Sequence, residues 1–468
     1  MSDGAAVHGY TLTAPMSASA GMLAIFSDQA AVQRMLDFEA ALARAEAVHG
    51  VIPADAVAPI AACCQVAHMD LPALAQAATA AGNLAIPLVR QLTAAVLRQD
   101  ADAGKYVHWG ATSQDAIDTG LVLQLRDAFD LIDADLAALA GALAGLARAH
   151  RDTTMVGRTW MQHALPTSLG LKMAGCLDAL MRHQQRMQEI RHRALALQFG
   201  GAAGTLASLG DKGLAVAASL ARELGLSLPE LPWHTQRDRV AEVATVLGLL
   251  TGTLGKMARD ISLLMQTDVG EAAEPAAPGR GGSSTMPHKR NPVGCAIALT
   301  AAVRVPALVS TMLSGMVQEH ERALGGWQAE WDTLPDIVLL TSGALRQMRD
   351  VAAGLQVDAK RMAANLALTH GLIMGESVML ALGAAIGRMA AHKLVEQASA
   401  QAAASGRHLR DVLGSDAEVF RHLSPEALDK LLDPANYRGE AGAFIDRVLA
   451  RYQRSLQEQS VETNEWLT

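Results

Sequence analysis

Aromatic side chains are scarce, 3% of 468 residues, and charged ones make up 18%, below the roughly 25% of ordinary soluble domains. A basic excess is also missing: 39 Lys and Arg stand against 47 Asp and Glu, for a net charge of -8. Without a basic footprint or stacking platforms the chain is not expected to bind nucleic acid. Only four cysteines occur, Cys63, Cys64, Cys176 and Cys295. They are too few for a disulfide framework and match no zinc-ligand spacing, so the chain reads as reduced, cytoplasmic and metal-free. The first 30 residues carry Asp3 and Asp28 but no Lys or Arg, which argues against a secretory signal. Cys295 to Val317 is the best membrane candidate. It contains Arg304 and Pro306 and many small residues, so a buried helix of a soluble protein is expected there, with no membrane partner. Alternating β-branched and aromatic runs are nearly absent too, and strands should be minor.

What is present is helical periodicity. From Arg237 to Val269 apolar residues recur at steps of three and four, from Val240 and Val243 through Leu247, Leu250, Leu254, Met257 and Ile261 to Leu264 and Met265. No proline interrupts the run, which predicts a rod of about 50 Å at 1.5 Å per residue. Asp118–His150 and Met173–Leu197 read the same way. The fold class is all-α, and the length suggests about three domains. Residues 1–111 hold shorter helical patterns punctuated by Pro53, Pro72 and Pro87. Residues 112–355 hold the long rods as a central bundle. Residues 356–468 return to shorter segments, with turns at Ser405-Gly406 and Asp433-Pro434.

One stretch breaks this pattern. Between Gly270 and Gly294 lie five glycines and four prolines. Its middle, Gly281-Gly282-Ser283-Ser284-Thr285-Met286-Pro287-His288-Lys289-Arg290-Asn291-Pro292, carries hydroxyls, cations and an amide. Consecutive backbone N–H groups in such a segment can cradle an anion, so it reads as a mobile, working loop. The glycine and lysine spacing is not that of a Walker loop.

That loop resembles the G-S-S-x-x-P-x-K-x-N-P signature of the fumarase/aspartase superfamily. Two further segments stand where that superfamily has its active-site regions: His108-Trp109-Gly110-Ala111-Thr112-Ser113-Gln114-Asp115, and Gly157-Arg158-Thr159-Trp160-Met161-Gln162-His163. The resemblance covers essentially the whole chain. It implies a three-domain all-α subunit whose long helices pack in a homotetramer, with active sites assembled from three subunits. It also implies proton transfer at a carbon beside a carboxylate, with no cofactor and a small polycarboxylate as substrate. By that resemblance Ser283 is the carbon acid/base and Ser284 its oxyanion partner or a rival for the role. Lys289, Asn291, Thr112 and Ser113 are carboxylate ligands. Gln162, His288 and Arg322 are expected to bind substrate, and His163 to be catalytic or a ligand, although a lone histidine beside a helix start is usually structural. Thr112 and Ser113 could also cap a helix starting near Asp115.

A departure from the superfamily pattern narrows the chemistry. Fumarases and adenylosuccinate lyases have a histidine, implicated in protonating the leaving group, where this chain has Trp160. Hydroxide and amines leave poorly without a general acid, whereas a carboxylate is a stable anion with a pKa near 4. Trp160 is therefore expected to wall the pocket of a reaction whose entering or leaving group is a stable anion. The arginines that adenylosuccinate lyases use for phosphate are also missing: the N-terminal stretch Gly9–Met16 has none, and Trp331 stands where the later one belongs. Four of the six tryptophans (Trp109, Trp160, Trp327 and Trp331) lie in motif segments, and Trp327-Gln328-Ala329-Glu330-Trp331 resembles the carboxymuconate cycloisomerase branch. The expectation is lactonisation of 3-carboxy-cis,cis-muconate. The rivals are a lyase expelling another stable anion, such as nitrite from nitrosuccinate, and adenylosuccinate lyase.

Overall fold

A computed structural model describes residues 12–465; Gly9, Tyr10 and Thr11 of the arginine-free N-terminal stretch lie outside it. Helices dominate. After α1 (Asp28–Val48) the long ones include α2 (Ser113–Ala149), α3 (Leu169–Ala194), α4 (Asp238–Leu264), α5 (Val293–Ser314) and α6 (Gly326–Ala353). On α2 the residues Val122, Leu125, Phe129, Ile132, Leu136, Leu139 and Leu143 are all buried, a stripe at helical spacing. On α4 the expected stripe is buried from Val240 to Leu264.

Two ends differ from the sequence expectation. The rod expected to reach Val269 stops at Leu264, about 40 Å long, and Met265 falls outside it. Gly270, at φ +62°, turns the chain, its N–H donating to the Gln266 carbonyl at 2.7 Å. Likewise α3 ends at Ala194 and not at Leu197. There the backbone pairs instead with a distant segment, Leu197 N–H donating to Ser227 O and Ser227 N–H to Leu195 O, both at 2.9 Å.

The chain divides into two compact units: residues up to 137 with 182–255 and 296–348, and residues 138–181 with 256–295 and 349–468. The first has α1 and the N-terminal part of α2, with Phe38 meeting Phe199 edge-on. The second holds two small antiparallel pairs, β1 (Thr154–Thr159) with β2 (Gln162–Ser168), and β3 (Ala272–Ala273) with β4 (Gln356–Val357). Its C-terminal helices, including α7 (Gly375–Ile386) and α8 (Arg388–Ser405), enclose a core of Val378, Leu382, Val395, Leu409, Leu413 and Leu428, which also takes in Val156 from β1.

By length and composition alone, α4 and α5 are each apolar enough to cross a membrane. Of the most apolar window, 61% is buried inside the chain for α4 but only 28% for α5. The burial expected of α5 is therefore not met within this chain. Its residue Val303 is 78% exposed, and Leu313 is exposed as well.

One buried imidazole makes stability depend on pH. His183 meets the Thr253 hydroxyl at 2.8 Å. Burial, helped by the charges of Arg186 and Arg182, lowers its pKa to about 4. In the unfolded chain a histidine takes up its proton near pH 6.5. Between pH 6.5 and about 4 the unfolded state thus binds more protons, and stability is lost as pH falls through that window. Urea unfolding across it should show a shallower slope for His183→Gln than for the parent; parallel slopes would refute the assignment.

Candidate functional site

Thr112 and Ser113 sit where α2 begins. Asp115, in the first turn, reaches back and accepts the Thr112 N–H at 3.0 Å. The Thr112 hydroxyl accepts from Arg322 Nη1 at 2.8 Å. Arg322 Nη2 donates to the Ala202 carbonyl at 3.1 Å. Its Nε is buried without a partner among the described residues, a donor the fold leaves unused. Thr112 and Arg322, 210 residues apart, are thus brought together.

Around this pair lies a polar network that sequence reasoning missed. Arg237 is 1% exposed. It donates to Asp118 at 2.7 and 3.1 Å and to Glu330 at 2.5 Å, and stacks over the Trp233 ring. Trp327 Nε1 donates to Asp118 at 3.0 Å, and Trp331 meets Trp327 edge-on. The Trp327-to-Trp331 pattern is therefore part of the buried scaffold around Arg237. Its only signal in the sequence was two acids, Asp115 and Asp118, one turn apart at the start of the helix. Ahead of the motif, His108 at φ +59° meets Glu39 at 2.6 Å. Burial works to lower its pKa, but the Glu39 carboxylate outweighs burial and raises it.

The second motif is a hairpin, not the approach to a helix start. β1 and β2 pair Thr159 with Gln162 and Arg158 with His163. Trp160 and Met161 form its two-residue turn, both at positive φ, as tight hairpins require. Trp160 is 98% exposed, so within its own unit it stands free and does not wall a pocket. Gln162 is exposed beside it. His163 is half-buried. Burial first and the Arg158 charge second lower its pKa, against the pull of Glu271, leaving a neutral imidazole at pH 7. Arg158 grips the fully buried Glu271 through two bonds of 2.9 and 2.7 Å, and Asn365 adds a third at 2.7 Å. The hairpin is thereby tied to the root of the signature loop.

That loop has a rigid base and an exposed crest. Buried Glu274 accepts the Gly294 and Cys295 N–H groups at 3.0 and 2.8 Å, capping the start of α5, and receives Arg280 Nη2 at 3.3 Å. Arg290 donates to the Glu274 carbonyl at 2.6 Å and to Gln356 at 3.0 Å. Asn291 N–H closes the neck on Gly281 O at 2.8 Å. On the crest, Ser283 Oγ accepts from the N–H groups of Met286 at 3.1 Å and Thr285 at 3.4 Å. Donors aimed at an oxygen favour its anionic form, so this turn suits a serine that must give up and regain a proton. Ser284 is exposed beside it. Lys289 and Asn291 line a cavity of about 1000 Å³ together with His288, Arg290 and Lys360. Among the described residues no hydrogen bond joins His163 to Ser283, and no group of three or more His, Cys, Asp or Glu side chains is placed to hold a metal.

Residues 16–307 match the family described as "Lyase", and residues 371–448 match the family described as "Adenylosuccinate lyase C-terminus". A 3-carboxy-cis,cis-muconate cycloisomerase of Pseudomonas aeruginosa is 59% identical over 93% of this chain and 95% of its own length. A nitrosuccinate lyase of Streptomyces davaonensis is 41% identical over 97% and 98%. The crystal structure of the 3-carboxy-cis,cis-muconate lactonizing enzyme of Pseudomonas putida superposes with a TM-score of 0.91 at 56% identity, covering 95% of this chain and 99% of that one. With its helical fold, its signature loop and these relatives, the chain belongs to the lyase family of the fumarase/aspartase superfamily, a family of enzymes.

Proposed function

We propose that this chain is a 3-carboxy-cis,cis-muconate cycloisomerase, closing its substrate to 4-carboxymuconolactone in protocatechuate breakdown. The observation that carries the reading is near-full-length similarity at 59% to a relative of that name, against 41% to the nitrosuccinate lyase. Chemistry supports it. A substrate carboxylate oxygen adds to a double-bond carbon, and negative charge develops on the neighbouring carbon and its carboxylate. Lys289, Asn291, Thr112, Ser113 and Arg322 hold that charge with fixed donors. Ser283 delivers the proton to carbon, and the N–H groups of Thr285 and Met286 hold the alkoxide left behind. The entering carboxylate is already an anion and needs no base to take a proton from it, so Trp160 can stand where other members of the superfamily have a histidine. Neutral His163 and Gln162 serve as substrate contacts, and no cofactor takes part.

The same reading includes a cytoplasmic homotetramer of three-domain subunits, divided at 1–111, 112–355 and 356–468, with sites shared between subunits. The uncovered apolar face of α5 supports it, as does exposed Trp160, which needs a second chain to become a pocket wall. A lyase expelling nitrite from nitrosuccinate is the second reading, favoured by the same tryptophan. Purified protein with 3-carboxy-cis,cis-muconate, followed by loss of the diene absorbance, decides between them. Persistence of the diene with nitrosuccinate consumed would establish the second reading, and turnover of adenylosuccinate would overturn both.

The loop neck gives a sharper expectation. Gly281 has φ +69°, and a Cβ there would lie 2.6 Å from the Asn291 carbonyl oxygen. Gly281→Ala should spread the neck and misplace Ser283, lowering kcat by up to about 10²-fold. Because the loop crest is exposed, the urea midpoint should stay near that of the parent. A large drop in stability with kcat retained would contradict this view of the loop.

A further inference from the structure

We infer that Asp115, which touches no substrate in the reaction proposed above, is the positioning residue that sets the geometry of the Thr112 carboxylate site. Its side chain is fully buried, and its two oxygens serve five donors from three segments. Oδ2 accepts Thr112 N–H at 3.0 Å and Gly201 N–H at 2.9 Å. Oδ1 accepts Gly200 N–H at 3.0 Å and Gln198 Nε2 at 3.2 Å, and meets His234 Nε2 at 2.8 Å. Arg322 joins the same two backbone segments from its own side, through Thr112 Oγ1 and Ala202 O. A buried anion and a cation thus staple residues 110–113 to residues 198–202.

The staple works at close quarters. Gly201 has φ +69°, and a Cβ on it would lie 2.9 Å from Gly110 O. The backbones therefore approach as only glycine allows, and a small shift of either would move the Thr112 hydroxyl off Arg322. The carboxylate is suited to the task because every neighbour it meets is a donor. An amide in its place would turn an NH₂ group toward N–H groups and leave at least two of them unpaired. Asp115 acts through Thr112, so its effect should depend on Thr112 being present.

The inference rests on the proposed lactonisation, and a double-mutant cycle tests it separately. In the diene assay Asp115→Asn should raise KM about ten-fold or more, with a smaller change in kcat, as should Thr112→Ala. The double variant should be no more than about three-fold worse in kcat/KM than Thr112→Ala alone, because residues acting through one another are not additive. Multiplicative effects, or a kcat loss with KM unchanged, would overturn the inference. If Asp115→Asn fails to fold, His234→Leu and His234→Gln replace it. Leucine should reproduce the KM rise, and glutamine, which keeps a donor for Oδ1, should restore it to within about three-fold of the parent; equal KM for the two overturns the inference. Should the parent leave the diene untouched, lactonisation fails while the cycle runs unchanged on nitrosuccinate, which also presents carboxylates to Thr112.

Discussion

Ser283→Ala is expected to lower kcat by roughly 10²–10⁴-fold, the range for losing a positioned proton donor, while KM stays within a few-fold of the parent. The contrast follows from where the serine sits. Among the described residues its hydroxyl accepts from N–H groups of its own turn, at Thr285 and Met286, on a crest with little packing. Removing it unties that turn locally and costs no buried contact, so the urea midpoint should hold. In the proposed mechanism substrate affinity rests on Lys289, Asn291, Thr112 and Arg322, which remain. Ser284→Ala, one residue on but without those bonds, should cost less than ten-fold. The measurement is the diene assay on both variants at saturating substrate. If Ser284→Ala is the more damaging, the acid/base role passes to Ser284, and the N–H groups at Ser283 serve only the turn.

The parts of the molecule legible beforehand were those whose signal is repeated along the chain. Apolar stripes at steps of three and four gave away α2, α3 and α4, because each turn of a long rod adds another matching residue. The loop showed itself through glycine and proline density. The hairpin did not: β2 contains Pro166, neither strand alternates, and its turn uses Trp160 and Met161 in place of the usual Asn and Gly. Helix ends were misplaced wherever a tertiary partner decided them, as Ser227 does for Leu197. The apolar composition of Cys295 to Val317 led to the expectation of a buried helix, but composition carries no information about what lies against α5.

The site divides along the same line. Ser283, Lys289, Asn291, Thr112 and Arg322 stand in segments whose residue types match a family signature. Asp118 and Arg237 lie outside those segments, and Asp115 and Glu330, though inside two of them, carry no mark of what they bind, because a buried ion network is defined by contacts between residues 93 to 119 positions apart. An acid on a helix reads as a solvent-facing residue until its arginine is known.

The largest effect on stability is expected at Arg237. With Arg237→Met, Asp118 and Glu330 remain buried with no cation between them, and breaking such a pair typically costs about 3–5 kcal/mol. Asp118 would keep Trp327 Nε1 and Gln114 Nε2 as donors, and Glu330 would keep Gln318. Those neutral donors hold two carboxylates less well than a guanidinium does. An exposed pair gives the control: Arg44→Ala, which frees Glu223 at the surface, should cost under about 1 kcal/mol. The pH dependence carries a sign of its own. Burial already raises the Glu330 pKa against the pull of Arg237. Without the arginine it should rise further, so the folded variant binds a proton that the unfolded chain has released. Stability then falls as pH rises, and the deficit of Arg237→Met should be larger at pH 8 than at pH 5. Urea unfolding at one protein concentration measures this, since any assembly would link stability to concentration. A deficit below 1 kcal/mol, or one that does not change with pH, would mean that the two acids find other partners when the arginine is gone.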